Sequence, residues 1–271
     1  MSNTTSAPHF GLIIVGDEIL SGKRQDKHLS KAIELLAARG LALDWAEYVG
    51  DDPQRITQTL KRAFDSGDIV FSTGGIGATP DDHTRQCAAR ALGRELALHP
   101  QAEAFIRERM QDVAREQGIA YEPDRPDNIH RLNMGVFPVG AQIIPNPYNK
   151  IAGFSCGTVH FVPGFPVMAW PMMEWVLDTL YPHLHRPIET SERSVIVMGA
   201  MEASLTPLME QIEAAHLGIK VFSLPSVDHP QYGKHIELGV KGQASKLPDA
   251  YAQLLAGLKA FGASLGPELQ R

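Results

Sequence analysis

The sequence predicts an α/β fold: a mostly parallel sheet with helices on both faces, followed by a small α+β domain. Three observations carry this expectation. The run Phe10–Val15 is apolar throughout, the mark of a strand buried on both faces. Strand-like runs alternate with helical spacing as far as about Tyr181, the pattern of a parallel sheet covered by helices. Beyond Pro182–Thr190, a segment rich in His, Pro and Arg that suits a linker, the order changes to β-α-β-β-α. The expected domains are therefore 1–187 and 188–271.

The elements follow in order. After the first strand, Leu29, Ile33 and Leu36 recur at helical spacing. Leu41–Val49 is the second strand. Asp52-Pro53 then supplies the N-cap and first-turn chemistry of a helix with a buried stripe of Ile56, Leu60 and Phe64. Asp68–Thr73 is the third strand. Helices are expected over about 80–92 and 100–117, the second presenting Phe105, Ile106, Met110 and Val113 on one face. Tyr121–Asn128 is polar and broken by proline, so it reads as a loop. Short strands are expected at Gln142–Pro145, Gly153–Ser155 and Thr158–Val162, and Pro163-Gly-Phe-Pro166 turns into a helix ending near Tyr181. The second domain reads as a strand (Ser194–Gly199), a helix (Ser204–His216), two strands (Ile219–Leu224 and Lys234–Lys241) and a helix (Pro248–Phe261). There is no repeat and no low-complexity segment.

Composition narrows the function. Hydrophobic residues make up 44% of the 271 and charged residues 21%, ordinary values for a globular chain with a proper core. The formal net charge of −6, with no block of Lys and Arg, argues against nucleic acid or anionic membrane as the main partner. Met1–His9 lacks an apolar signal region and no stretch approaches the length of a membrane span, so a cytoplasmic protein with a small-molecule partner is expected. Cys87 and Cys156 have neither metal spacing nor a disulfide framework and read as small core residues.

The stretch from Asp68 to Asp82 carries the most chemistry. An apolar strand breaks at Thr73-Gly-Gly-Ile-Gly-Ala-Thr79, and Pro80 offers a helix start. Gly74, Gly75 and Gly77 allow positive φ and close approach of a ligand, and free N–H groups at a helix start favour an anion such as phosphate. Asp81 and Asp82 would repel that anion unless a divalent cation lay between them. The plainer alternative makes Thr79 an N-cap, Pro80 the first helical residue, and the aspartates partners of the helix dipole.

Several separated segments together resemble one family. Gly16-Asp-Glu-Ile-Leu-Ser-Gly22, Val49-Gly-Asp-Asp52, Thr73 to Thr84, Pro145-Asn-Pro147 with Gly153-Phe154, and Pro163-Gly-Phe-Pro166 occur in its order across about 10–185. They resemble the molybdopterin-binding-like fold of CinA proteins and of the N-terminal domain of eukaryotic FAD synthases, with MoaB and MogA as more distant relatives. The resemblance implies a pocket at the carboxyl ends of the strands. Gly16, Thr73, Gly74, Gly75, Gly77, Thr79, Pro163 and Gly164 are then the substrate-binding positions. Asp51 and Asp82 are the catalytic candidates, and both join Asp17 and Glu18 as candidate ligands of a divalent cation, Mg²⁺ or else Mn²⁺ or Co²⁺. Asp52, preceding Pro53, reads as an N-cap instead.

The departures from the family pattern are as informative. Asp26-Lys27-His28 stands where Asp-Thr-Asn is usual, and Pro166-Val-Met168-Ala-Trp170 replaces a carboxylate with a thioether. Met168 and Trp170 read as packing residues. Neither His28 nor His83 has a partner at ligand spacing. Arg131 reads either as a phosphate contact or as a solvated surface residue. The functions implied are metal-dependent hydrolysis of a nucleotide pyrophosphate such as ADP-ribose or FAD, adenylyl transfer to molybdopterin, and a non-catalytic module for a pterin or nucleotide. A homo-oligomer is expected by the same resemblance. The amidase domain of many CinA proteins and the nucleotidyltransferase domain of FAD synthases are not expected here.

Overall fold

A computed structural model describes residues 8–186 and 190–270. They form two compact units, dividing between His185 and Arg186. Pro182–Leu184 is a 3₁₀ turn, and the predicted boundary at 187/188 lies outside the described residues.

In the first unit β1 (Phe10–Val15) leads through a short helix α1 (Asp17–Leu20) to α2 (His28–Ala37). Then come β2 (Trp45–Val49), α3 (Pro53–Ser66), β3 (Ile69–Thr73) and α4 (Thr84–Leu92). The chain continues with β4 (Leu96–Leu98), α5 (Pro100–Glu116), α6 (Pro126–Arg131), β5 (Val136–Pro138) and β6 (Gln142–Ile144). It ends with β7 (Gly153–Cys156), β8 (Val159–Val162) and α7 (Pro166–Leu180). The main sheet has the order β2-β1-β3-β8-β7-β6. β1 pairs in parallel with β2 and β3, β3 with β8, while β7 pairs antiparallel with both β8 and β6.

β1 is buried along its whole length and its side chains alternate between two cores. Ile13 and Val15 join Ile56, Leu60 and Ala63 of α3 and Cys87 and Ala88 of α4 on one face. Leu12 and Ile14 join Ala32, Leu35 and Leu36 of α2 and Met172 and Val176 of α7 on the other. Period-two alternation in a strand covered on both sides requires apolar residues at every position. Asp52 caps α3, its Oδ1 accepting from the Arg55 amide at 2.8 Å. Both cysteines are buried and free. A buried polar chain ties β7, β8 and the end of α7: Ser155 Oγ lies 2.7 Å from His160 Nδ1, and His160 Nε2 lies 2.8 Å from Tyr181 Oη. Burial drives the His160 imidazole down to about 3.

Several boundaries differ from expectation. The helix expected from about residue 80 begins at Thr84, because residues 79–82 close a separate turn first. Part of the expected loop Tyr121–Asn128 is helical from Pro126 onward, where proline sits at the first position of α6. Ile33 is 49% exposed, and the buried stripe of α2 is Ala32, Leu35 and Leu36. β4 and β5 form an additional two-stranded sheet.

The second unit comprises β9 (Thr190–Met198), α8 (Glu202–Ala215), β10 (Lys220–His229), β11 (Gly233–Gln243), α9 (Leu247–Ala260) and β12 (Ser264–Gln270). Its antiparallel sheet, order β10-β11-β9-β12, packs Val195, Val197, Leu238 and Val240 against Leu205 and Ile212 of α8 and Tyr251, Leu254 and Leu258 of α9. β12 was not expected. Among the described residues no helix is long and apolar enough to cross a membrane.

Candidate functional site at the carboxyl ends of the strands

The segments after β1, β2, β3 and β8 all emerge at the carboxyl end of the sheet, where parallel strands leave their loops. There they line a cleft of about 680 Å³. Gly16, Thr73, Gly74, Gly75, Gly77, Thr79, Pro163, Gly164, Glu18, Asp51 and Asp82 all face it. Asp17 is not among its lining residues; its amide donates to Asp51 Oδ2 at 2.9 Å, and the Asp51 amide donates to Asp17 Oδ1 at 3.1 Å. These reciprocal bonds fix the turn after β1 to the turn after β2.

The glycine loop has the geometry that makes glycine necessary. Gly74 has φ 95° and its amide donates to the Val162 carbonyl at 3.1 Å, joining the loop to β8. A Cβ there would strike the Val15 carbonyl, and one at Gly75, φ 67°, would strike the Thr84 hydroxyl. That hydroxyl donates to the Gly74 carbonyl at 3.1 Å, and the Thr84 amide donates to the Gly75 carbonyl at 3.0 Å. The amides of Gly75, Ile76, Gly77 and Ala78 have no acceptor among the described residues. Four consecutive donors without partners at the mouth of a cleft are an anion-binding arrangement. They belong to the loop itself, not to the first turn of a helix beginning at Pro80, because α4 starts only at Thr84.

The carboxylates divide into two roles. Asp82 Oδ2 accepts from the Thr79 amide at 2.8 Å and from the Thr79 hydroxyl at 2.6 Å, so that oxygen is committed to the loop's own turn. Asp51 is different. Burial pushes its carboxyl above the usual carboxylate range; the Asp17 amide opposes this, and the charges of Asp17, Glu18 and Asp81 add to it. The acidic group felt by Asp51 thus contains Asp81, and not Asp82. Among the described residues no three or more His, Cys, Asp or Glu side chains are placed to hold a metal ion. Asp17, Glu18, Asp51 and Asp82 therefore do not assemble as one protein-only metal site. A cation held by one or two carboxylates together with a ligand's phosphates still fits Glu18 and Asp51, because it would relieve the repulsion that Asp51 experiences.

Further side chains hold the walls, and motif reading passed over Arg85 and His130 among them. Arg85 is 4% exposed and its guanidinium donates to the carbonyls of Asn133 and, at 2.6 Å, Gly77. It thereby fixes the Gly77 carbonyl on the loop. His130 Nε2 donates to the Ala78 carbonyl at 3.2 Å. Asn146, buried, bonds Asn149 Oδ1, the Ile151 carbonyl and the Tyr148 amide, shaping the wall at Asn149–Ala152. His28 is 4% exposed, donates from Nε2 to the Gly164 carbonyl at 3.0 Å, and leaves Nδ1 without a partner. Met168 also lines the cleft and accepts from Asn149 Nδ2 at 3.3 Å. Trp170 and Arg131 do not line it; Arg131 instead bonds Asn128 and faces Asp127.

Comparison with known proteins agrees with this architecture. The family described as "Probable molybdopterin binding domain" matches residues 11–185. A protein of Aeropyrum pernix is 29% identical over 257 residues, covering 93% of this chain and 91% of that one. A CinA-like protein of Geobacter metallireducens is 30% identical over 215 residues, covering 78% of this chain and 50% of its own, so the chain spans half the length of that relative. Among solved structures, the protein CinA with unknown function from Thermoplasma acidophilum superposes with a TM-score of 0.53 at 26% identity, covering 63% of this chain and 97% of that one.

Proposed function

Because the chain belongs to the molybdopterin-binding domain family, alongside CinA-like proteins, we propose that its cleft binds a phosphate-bearing nucleotide or pterin and hydrolyses a nucleotide pyrophosphate of the ADP-ribose or FAD type. The observation that carries this reading is a single cleft in which four unpartnered loop amides lie with the carboxylates Glu18, Asp51 and Asp81. Donors for a phosphate beside carboxylates suit a substrate whose phosphates share a cation with the protein.

In this reading Gly75–Ala78 hold one phosphoryl group, and Asp51 with Glu18 would hold a divalent cation such as Mg²⁺, Mn²⁺ or Co²⁺, which would supply charge neutralisation at the pyrophosphate. Asp82 keeps the loop in its donor conformation through Thr79. Water adds to one phosphorus and the bridging oxygen leaves with the other, so ADP-ribose gives AMP and ribose 5-phosphate. The test is AMP release from ADP-ribose and from FAD, with each metal and with chelator. Turnover undiminished in chelator removes the cation from the proposal. Adenylyl transfer to molybdopterin uses the same loop and would be recognised by pyrophosphate release from ATP.

A second reading, a binding module without turnover, is favoured by the departures from the family pattern at His28 and Met168, both of which line the cleft. Tight nucleotide or pterin binding without hydrolysis under any of the metals would select it.

A further inference from the structure

The wall at residues 24–28 includes Asp26-Lys27-His28, where the sequence departs from the family pattern, and its basic side chains take no part in the reading above. Arg24 and Lys27 are exposed and line the cleft. Among the described residues neither has an ion-pair or side-chain hydrogen-bond partner. Nearby cations are engaged: Arg85 with Gly77 and Asn133, Lys150 with Glu108 and Asp112.

The 24–28 wall is also joined to the glycine loop. A Cβ on Gly164 would lie 3.3 Å from Gly74 Cα, so these two backbones are in contact. The next residue, Phe165, carries the Arg24 guanidinium 5.9 Å from its ring centroid, and His28 holds the Gly164 carbonyl. The Arg24 amide donates to the Glu18 carbonyl at 2.9 Å, tying the same segment to the acidic side. A ligand phosphate on the loop amides therefore has Glu18, Asp51, Asp81 and Asp82 within the same cleft and, on the adjoining wall, two cations that no carboxylate among the described residues pairs.

We propose that Arg24 and Lys27 form a second anion subsite beside the glycine loop, so that the cleft takes both phosphoryl groups of a diphosphate. One group sits on the amides of Gly75–Ala78 and the other on the two cations. The planar guanidinium suits a pair of phosphate oxygens and the ammonium acts as a point charge. This rests on the reading that the loop binds phosphate, but not on hydrolysis or on any metal.

The experiment is calorimetric titration with orthophosphate and with inorganic pyrophosphate, at low ionic strength and with chelator present. Wild type should bind pyrophosphate at least about tenfold more tightly than orthophosphate. The double variant Arg24→Gln/Lys27→Gln should lose that preference to within about twofold while orthophosphate affinity is unchanged. Lys23→Gln, which removes a neighbouring exposed cation that does not line the cleft, should behave as wild type. A wild type without the preference, a double variant that keeps it, or equal weakening of both anions by either substitution would overturn the proposal. Loss of ADP-ribose or FAD hydrolysis with the preference intact would count against the proposed activity alone.

Discussion

Asp51→Asn is expected to make the protein more stable at neutral pH while abolishing any metal-dependent turnover. The Asp51 carboxylate is partly buried and faces the charges of Asp17, Glu18 and Asp81, so its ionised form is disfavoured in the folded state. A like-charge pair at about 4 Å costs roughly 1 kcal/mol in water and several times that at a protein surface of effective dielectric about 20. Because the site is open to solvent, the lower figure applies, and the favourable bond from the Asp17 amide offsets part of the sum. Asparagine keeps an oxygen for that amide and removes the charge. A gain of about 1 kcal/mol is expected, or about 2–4 °C in melting temperature for a domain of this size. A raised carboxyl pKa means that the folded state binds the proton more tightly than the unfolded chain. The wild type's deficit is therefore absent below the ordinary carboxylate value near 3.9 and grows as pH rises through the raised pKa. Melting curves of wild type and Asp51→Asn from about pH 3.5, below the ordinary carboxylate value, to about pH 8, well above it, should converge at the acid end and separate at the neutral end. Asp82→Asn provides the contrast, because Asp82 receives two bonds from Thr79 and should lose about 1 kcal/mol at neutral pH. An Asp51→Asn protein less stable than wild type at neutral pH, or a difference independent of pH, would refute the electrostatic account of the cleft.

Gly74→Ala places a Cβ against the Val15 carbonyl at φ 95°; a loss of about 2–4 kcal/mol in urea unfolding and loss of orthophosphate binding by calorimetry are expected. Arg85→Met removes two charge-assisted bonds to carbonyls 48 and 8 residues away, and should cost about 3 kcal/mol in unfolding free energy while weakening orthophosphate binding through a loosened loop. His160, held neutral by burial with its pKa down at about 3, contributes stability that is complete above its ordinary value near 6.5 and is lost as pH falls towards 3. Urea unfolding of wild type should therefore lose up to about 1.4 kcal/mol per pH unit from this group below pH 6.5, and His160→Asn should flatten that slope whatever its effect at neutral pH.

What was legible in the sequence is what local chemistry decides. β1 could be recognised because a strand covered on both faces admits no polar position, and the glycine loop because Gly74 and Gly75 occupy φ values that side chains resist. The start of α4 was misplaced because Thr79-Pro80 has good helix-start chemistry, yet Asp82 reaches back to the Thr79 amide and closes a turn before the helix begins. β12 escaped notice because Gly266 and Pro267 make Ser264–Gln270 look like a tail. Its pairing with β9 is tertiary, and the register shift between Leu265 and Glu268 lets an edge strand carry a proline. Arg85 left no signal, since what it holds is decided by segments brought together only in the fold, whereas the Pro145-Asn-Pro147 motif marked Asn146 without revealing its partners.

The charges of the cleft reduce the mechanism to a question about the source of positive charge. Four loop amides supply dipoles, which cannot by themselves neutralise a pyrophosphate lying near Glu18, Asp51 and Asp81. Two sources are compatible with the residues present: a divalent cation on Asp51 and Glu18, or the side chains of Arg24 and Lys27. They differ in physical signature. An inner-sphere cation is removed by chelator and screened little by salt, whereas exposed side-chain charges ignore chelator and weaken as the Debye length falls to about 10 Å at 0.1 M ionic strength. If both act, the cationic wall grips the diphosphate before the metal arrives, and the carboxylates then serve the metal and not the ligand. Pyrophosphate affinity would then survive chelation, fall with salt and rise again with Mg²⁺, and Asp51→Asn would remove only the last of these responses.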